Sequence, residues 1–207
     1  ISESPYYAGK LKERMKIVQN AAKNLKSPLL YCNMVGGQDE LVFDGGSLVV
    51  NQKGTVVAQY PQFESSLFYI NLEKKKSKTN LTTLQYNKQR LSGVDEVYRA
   101  LVLGVRDYVN KNRFPGVVLG MSGGIDSALC AAIAVDALGA DRIKCIMMPY
   151  TYTSEDSLKD AKQCAETLRA HYDILPIYEP VEGFLSALKP MFKGTEEDAT
   201  EENIQSR

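Results

Sequence analysis

Apolar positions follow a helical spacing near the start of the chain and a strand spacing after it. From residue 11 to residue 25, apolar residues recur at steps of three and four with Lys and Arg between them, which predicts an amphipathic helix. Strand-like apolar runs follow at residues 29–35, 41–50, 55–60 and 66–72. The turn Gly36-Gly37-Gln38-Asp39 joins the first two runs, and Asp44-Gly45-Gly46 breaks the second run with a turn or bulge signal. The pattern predicts one helix followed by an antiparallel meander.

A second pattern begins near residue 95, where a helix is predicted to about residue 112. Short apolar runs then alternate with longer helical runs. Strands are predicted at residues 117–119, 143–148 and 173–177, and helices at residues 127–138, 154–170 and 180–188. Because this alternation is typical of parallel strands joined by crossover helices, we predict a doubly wound α/β sheet. Ligands bind such sheets at the carboxyl ends of the strands.

Composition narrows the classes of partner. The 207 residues are 44% hydrophobic, enough for one domain or two small ones, and 25 basic residues balance 25 acidic ones. This neutral charge makes no case for a nucleic-acid partner, and no apolar run is long enough for a membrane helix. The single histidine, His171, is predicted to be a surface or helix-capping residue. Without CxxC spacing, the four cysteines are predicted to be reduced core residues of a cytoplasmic protein: Cys32, Cys130, Cys145 and Cys164.

The stretch with the clearest chemistry follows the strand at residues 117–119. Its residues are Gly120, Met121, Ser122, Gly123, Gly124, Ile125, Asp126 and Ser127. Glycine lets the backbone bend closely around a ligand, and Asp126 and Ser127 occupy positions typical of helix N-caps. Such a turn directs free N–H groups and a positive helix end at one point, which suits phosphate or pyrophosphate. The Gly-Lys-Ser/Thr of a Walker A loop is missing. On Ser-Gly-Gly alone, an ordinary strand–turn–helix remains open.

The full loop resembles the PP-loop of the N-type ATP pyrophosphatases, which cleave ATP between the α and β phosphates. Further segments resemble glutamine-dependent NAD synthetases: Met148-Pro149, Thr153-Ser154, Asp160-Ala161, and Thr-Glu-Glu-Asn-Ile-Gln-Ser-Arg at residues 200–207. The stretches at residues 4–10 and 36–47 resemble the later half of the nitrilase-type glutaminase domain of that family.

The resemblance implies a division of the chain. Residues 1–78 would be the C-terminal part of a nitrilase-like α-β-β-α sandwich, followed by a linker at residues 79–94. Residues 95–207 would be the N-terminal part of a PP-loop synthetase domain, similar to the adenine nucleotide alpha hydrolases. The first residue is Ile rather than Met, and both ends fall inside recognisable segments, so we expect a piece of a longer polypeptide.

The resemblance also implies a reaction, in which ATP adenylates deamido-NAD and ammonia from glutamine then displaces AMP to give NAD. ATP would bind the eight loop residues from Gly120 to Ser127, and Asp126 would ligate Mg²⁺. Ser4 and Lys10 match positions that bind glutamine, and Asn203 matches one that binds deamido-NAD. Arg207 would contact the phosphates of deamido-NAD or a neighbouring subunit. The family further implies a homo-oligomer and an ammonia channel.

One departure from the family concerns the glutaminase. A nitrilase-type site needs a Cys nucleophile, a Glu base and a Lys, which in the family precede the Ser-Pro-Tyr that begins here at Ser4. We expect no glutaminase activity from this chain alone, since Cys32 lies in an apolar run and is predicted to be a core residue.

Two other functions stay open. Another PP-loop enzyme, such as a GMP-synthetase-like or tRNA-modifying one, fits less well with one histidine, neutral charge and a nitrilase-like partner. A non-catalytic nucleotide-binding or interaction module would need neither the acidic side chain of Asp126 nor the complete loop pattern.

Overall fold

The computed structural model describes residues 3–75, 78–83, 91, 93–151 and 153–191. The chain divides into two compact units, Ile1–Arg113 and Phe114–Arg207. The elements of the first unit are α1 (Lys10–Leu25), β1 (Leu29–Tyr31), β2 (Val35–Gln38), β3 (Leu41–Asp44), β4 (Leu48–Val50), β5 (Val56–Gln59), β6 (Ile70–Lys75), β7 (Lys78–Thr83) and α2 (Gly93–Lys111). Those of the second are β8 (Val117–Gly120), α3 (Ile125–Leu138), β9 (Ile143–Met147), α4 (Glu155–Leu168), β10 (His171–Ile174) and α5 (Tyr178–Leu188), with a short 3-10 helix, Ala140–Arg142, before β9.

The first unit confirms the predicted helix and antiparallel strands. Its main sheet has the order β1-β4-β5, and both pairings are antiparallel. Helix α1 buries Val18 and Ala22 against Leu48 and Val50 of the central strand. This packing explains the helical spacing of the apolar residues, because only one face of the helix meets the sheet.

One predicted turn is wrong. Residues 36–38 belong to strand β2, which pairs antiparallel with β3, and the turn between them lies at Asp39, where φ is 49°. A glycine inside a strand often marks a bulge, a bend or the close approach of another backbone. Here the approaching backbone is that of α2, since a Cβ on Gly37 would lie 3.2 Å from the Cα of Gly104.

Helix α2 is bound to strand β2 by polar contacts as well. The N–H of Gly37 donates to Oδ2 of Asp107 at 2.8 Å, and Nζ of Lys111 donates to the carbonyl of Gly37 at 2.5 Å. The structure therefore groups α2 with the first unit, whereas the sequence analysis placed residues 95–113 in the second domain. The domain boundaries themselves stay a prediction.

The predicted linker also contains regular structure. Residues 79–83 lie in strand β7, which forms an antiparallel hairpin with β6. Residues 84–90 and 92 of the predicted linker lie outside the described residues.

The second unit confirms the predicted parallel α/β sheet. Its strands have the order β10-β9-β8, and both pairings are parallel. Along β9, Ile143, Cys145 and Met147 are buried, whereas Lys144 is exposed and forms an ion pair with Asp173 at 2.7 Å. The buried residues pack with apolar side chains of α3 and α4. A second layer of helices, as a doubly wound sheet requires, stays a prediction.

Two of the four free cysteines contradict the prediction of core residues. Cys32 and Cys130 are exposed, Cys145 is buried and Cys164 is half-buried. Cys32 lies between β1 and β2 rather than inside a strand. Cys130 lies on α3, which has apolar residues on all sides, so its sequence pattern does not show which face is buried. Burial, with a smaller effect of Cys164, raises the pKa of the Cys145 thiol.

His171 begins strand β10 and does not end a helix, although it is exposed as predicted. No helix in the described part of the chain is both long and apolar enough to cross a membrane.

Candidate active site

The predicted phosphate-binding loop begins at the carboxyl end of β8. Met121 follows the strand with its side chain only 2% exposed, and its N–H donates to the carbonyl of Ile146 in β9 at 2.9 Å. The side chain of Met121 belongs to the core of the second unit. Met121 was predicted to bind ATP, but its side chain is buried and its N–H is already bonded to Ile146.

Gly123 and Gly124 make the turn from strand to helix. Gly123 has φ of 80°, and a Cβ placed on it would lie 2.5 Å from the carbonyl oxygen of Ser157 in α4. Gly124 is the N-cap of α3, with no side-chain cap. Asp126 and Ser127 therefore lie in the first helical turn, which corrects their prediction as caps. The first N–H groups of a helix have no partner within it, so this end of α3 can bind an anion.

Two serine hydroxyls cross-link the loop. The hydroxyl oxygens of Ser122 and Ser127 are 3.1 Å apart, and Oγ of Ser127 accepts the N–H of Ser122 at 3.2 Å. Oγ of Ser122 accepts the N–H of Gly124 at 3.2 Å, while Ser127 donates to the carbonyl of Gly124 at 2.9 Å. These bonds restrict the loop to one shape, and a loop that is already restricted loses less entropy when it binds a ligand.

The start of α4 lies against this loop through Ser157. Ser154 caps α4: its Oγ accepts the N–H of Ser157 at 3.1 Å. Thr153 accepts the N–H of Tyr150 through Oγ1 at 3.0 Å. Both hydroxyls therefore accept hydrogen bonds from the backbone of their own segment. A groove of about 500 Å³ runs between α3 and α4 from the two loop glycines, with Asp160 contributed by α4.

Asp126 is the acidic side chain of the loop, and it is exposed in the first turn of α3. Within the described residues, no group of three His, Cys, Asp or Glu side chains is placed to hold a metal ion. A single carboxylate suits Mg²⁺ that is shared with phosphate oxygens and water, because Mg²⁺ usually takes only one or two protein carboxylates. The donor set fits a metal that arrives with a nucleotide.

The two residues predicted to bind glutamine lie at the start of the first unit. Ser4 is half-buried, and its N–H donates to Oδ1 of Asn33 at 3.0 Å. Lys10 is the first residue of α1, with Nζ 4.5 Å from the centre of the Tyr7 ring. Cations are unfavourable at a helix N-terminus, so a lysine there is not explained by helix stability.

The tyrosine beneath this lysine also forms a hydrogen bond. The Tyr7 hydroxyl donates to Oε2 of Glu13, and this hydrogen bond, with weaker burial and charge effects, raises the pKa of Tyr7. The sequence analysis did not single out Tyr7, Glu13 or Asn33, because ordinary loop and helix residues carry no recognisable motif.

The remaining predicted site residues cannot be placed in the same way. Asn203 and Arg207 lie outside the described residues.

Comparison with known proteins agrees with this geometry. The family model described as NAD synthase matches residues 97–207. The chain belongs to the NAD synthase family. The matched range includes the whole cross-linked loop and most of α2. The family segment therefore begins within a helix that belongs to the first unit.

Curated relatives extend the similarity over both units. The glutamine-dependent NAD(+) synthetase of Acinetobacter baylyi is 42% identical over 211 residues, which cover 100% of this chain and 38% of the relative. The enzyme of the same name from Rhodobacter capsulatus is 45% identical, with 99% of this chain and 37% of the relative covered. The chain therefore spans somewhat over a third of the length of these relatives.

Solved structures give the same result. The glutamine-dependent NAD+ synthetase of Acinetobacter baumannii in complex with ADP matches with a TM-score of 0.90 and 43% identity, covering 98% of this chain and 38% of that one. The enzyme from Cytophaga hutchinsonii matches with a TM-score of 0.79 at 20% identity, over 99% of this chain and 40% of that one, which shows a shared fold.

Proposed function

We propose that this chain is part of a glutamine-dependent NAD synthetase, which converts deamido-NAD to NAD with ATP and ammonia. The observation that carries the proposal is the cross-linked loop from Ser122 to Ser127 at the start of α3 in a parallel sheet. Relatives above 40% identity that bear this name support the same activity.

The proposed chemistry has two steps. An oxygen of the nicotinate carboxylate of deamido-NAD attacks the α-phosphorus of ATP, and pyrophosphate leaves. Ammonia then attacks the carboxyl carbon of the adenylate, loses a proton, and expels AMP to give the amide of NAD. Both steps build negative charge on a leaving phosphate, so the protein has to supply hydrogen-bond donors at the place where that charge develops.

The loop supplies those donors. The free N–H groups at the start of α3, including those of Ile125 and Asp126, would bind the departing pyrophosphate, and the positive end of the helix adds to the attraction. Because Ser122 and Ser127 already bond to the loop backbone, their proposed role is to hold it in shape and to add hydroxyl donors for the phosphates. The complex of the A. baumannii relative with ADP supports a nucleotide site.

Asp126 is the proposed ligand of Mg²⁺. When bound, the ion would neutralise charge on the phosphates of ATP. The carboxylate lies at the N-terminal end of α3, beside the proposed phosphate site, so it would hold ion and phosphate together without a cluster of acidic residues.

The proposal for the first unit is that it belongs to a nitrilase-like glutaminase in which Ser4 and Lys10 bind glutamine. The positive charge of Lys10 suits the carboxylate of glutamine, and its ammonium lies 4.5 Å from the centre of the Tyr7 ring. Asn203 and Arg207 would contact deamido-NAD.

The same proposal includes a doubly wound synthetase domain, a homo-oligomer and an ammonia channel. It also includes a cytoplasmic location, which the four free cysteines support.

The test is ATP–pyrophosphate exchange by the full-length enzyme, with and without deamido-NAD. Exchange should require deamido-NAD and Mg²⁺, and added ammonium should then yield NAD and AMP without glutamine. If the exchange rate does not depend on deamido-NAD, or depends on another carboxylate or carbonyl acceptor, the result would favour a different PP-loop enzyme. ATP binding without any exchange would favour a non-catalytic module.

A further inference from the structure

A buried polar cluster lies beneath Ser4 in the first unit. Its members Arg14, Asn33, Asp44 and Gln62 are 4%, 5%, 0% and 8% exposed. Buried ion pairs cost so much desolvation that apolar residues often serve stability equally well. Moreover, Nε of Arg14 is buried with no hydrogen-bond partner in the described part of the chain, which is a further cost. Stability alone therefore does not account for the cluster.

Asn33 connects the cluster to Ser4. Its side-chain Oδ1 accepts the N–H of Ser4 at 3.0 Å, and its Nδ2 donates to the carbonyl of Ser4 at 3.4 Å. One carboxamide thus binds both backbone polar groups of Ser4. This arrangement fixes the backbone of residue 4, whose hydroxyl has a long contact, 3.5 Å from Nη2 of Arg14.

The carboxamide of Asn33 is itself held in one orientation. Nδ2 donates to the carbonyl of Gly45 at 3.1 Å, and the backbone N–H of Asn33 donates to Oγ of Ser47 at 3.1 Å. Arg14 in turn binds both carboxylate oxygens of Asp44, at 2.8 and 3.1 Å, and the carbonyl of Gly45 at 2.9 Å. The planar guanidinium makes this fork rigid.

We propose that Asn33 is a positioning residue for the glutamine-binding segment, and that the buried Arg14–Asp44 pair keeps Asn33 in place. This inference rests on the proposed function, in which Ser4 contacts glutamine. A backbone fixed in advance spares the ligand the entropy of ordering residue 4, so the cluster improves glutamine binding. The cluster takes no part in NAD formation from free ammonia.

The test compares glutamine and ammonia as nitrogen donors in the full-length enzyme. Asn33→Ala should raise the KM for glutamine roughly 10- to 100-fold, as expected when a binding group is misplaced. The KM and kcat with ammonium should stay unchanged. A residue that only supported folding of the first unit would lower kcat with glutamine, because less enzyme is folded, and would leave the KM for glutamine unchanged.

Asn51→Ala is the matched control. Oδ1 of Asn51 accepts the backbone N–H groups of Lys53 and Thr55 at 2.9 and 3.0 Å, in the turn between β4 and β5. The variant loses the same kind of amide-to-backbone bonds in the same unit, away from Ser4. Its KM for glutamine should equal that of the unsubstituted enzyme.

An unchanged KM for glutamine in folded Asn33→Ala overturns the proposal, and so does an equal loss with both donors. If Asn33→Ala does not fold, Ser47→Ala removes the acceptor of the Asn33 N–H. A smaller increase in the same KM is then expected, and no increase would count against the positioning role.

Ser4→Ala distinguishes failure of the positioning proposal from failure of the proposed function. If it leaves glutamine binding intact, Ser4 and the positioning role are both wrong, whereas failure of ammonium-dependent NAD formation in the unsubstituted enzyme would refute the proposed function itself.

Discussion

Gly123 is the loop residue with the least tolerance for a side chain. Its φ of 80° lies in the region that favours glycine, and the Ser157 carbonyl occupies the space of a Cβ. The sequence predicted a glycine turn at this position. It did not reveal that the first turn of α4 is the neighbour that excludes a side chain, because Ser157 is 34 residues away in the chain.

Gly123→Ala should therefore disrupt the proposed nucleotide site. We expect ATP–pyrophosphate exchange to fall by roughly 100-fold, the size of effect that a displacement of about 1 Å produces at a catalytic group. Gly139→Ala is the control, because Gly139 has φ of 85° but no atom within 4 Å of its Cβ position. It should lose about 1–3 kcal/mol of unfolding free energy from backbone strain and keep exchange activity. Equal exchange rates in the two variants would contradict the packing argument.

Asp126→Ala tests the proposed metal ligand. Loss of the carboxylate should lower ATP–pyrophosphate exchange by at least about 100-fold, since a catalytic metal supplies several kcal/mol, and it should leave glutaminase activity detectable. Asp136→Ala removes another exposed acidic side chain from the same helix and should change little. Unchanged exchange and unchanged Mg²⁺ dependence in Asp126→Ala would rule out the metal role.

At the scale of elements, α2 and strand β2 show how packing overrides local pattern. Gly36 and Gly37 read as a turn in the sequence, yet they pair with β3 and lie against the helix. The helix itself was predicted almost to its observed ends. Its partner was not, because apolar spacing shows which face of a helix is buried but not which surface buries it.

Gly37→Ala should loosen this packing. A Cβ would lie 3.2 Å from Gly104 Cα and Asp107 Cβ, so α2 would have to shift, at a cost of about 1–3 kcal/mol in unfolding free energy. Gly93→Ala, at the start of the same helix, meets no atom within 4 Å and should leave stability unchanged or slightly higher. Urea denaturation of both variants would measure the difference, and a Gly37→Ala protein as stable as the unsubstituted one would contradict the close approach.

At the scale of the whole molecule, every hydrophobic cluster in the described residues draws its members from one unit. The largest belongs to the parallel sheet of the second unit, and the others belong to the first unit. Damage to one core should therefore have local effects.

Asp44→Ala provides the test of that independence. It leaves the Arg14 guanidinium buried without its partner, which typically costs 3–5 kcal/mol, so about that much of the unit's stability should be lost. Glu64→Ala breaks the exposed pair with Arg99 and should cost about 0–1 kcal/mol. Hydrogen exchange should accelerate at β4 in Asp44→Ala, while β9 keeps its protection. Equal acceleration at both strands would show a single cooperative unit.

Local pattern was sufficient for the helices, the parallel strands and the glycine turn after β8, because periodicity and glycine spacing depend on neighbours in the chain. Resemblance added Ser4 and Lys10 as candidate glutamine ligands. Tertiary structure alone decided that Gly123 lies against Ser157, that α2 packs on β2, and that Asn33 binds the backbone of Ser4. Those contacts join residues far apart in the sequence, and their free energy comes from exclusion of water and matched hydrogen bonds, which no local spacing records.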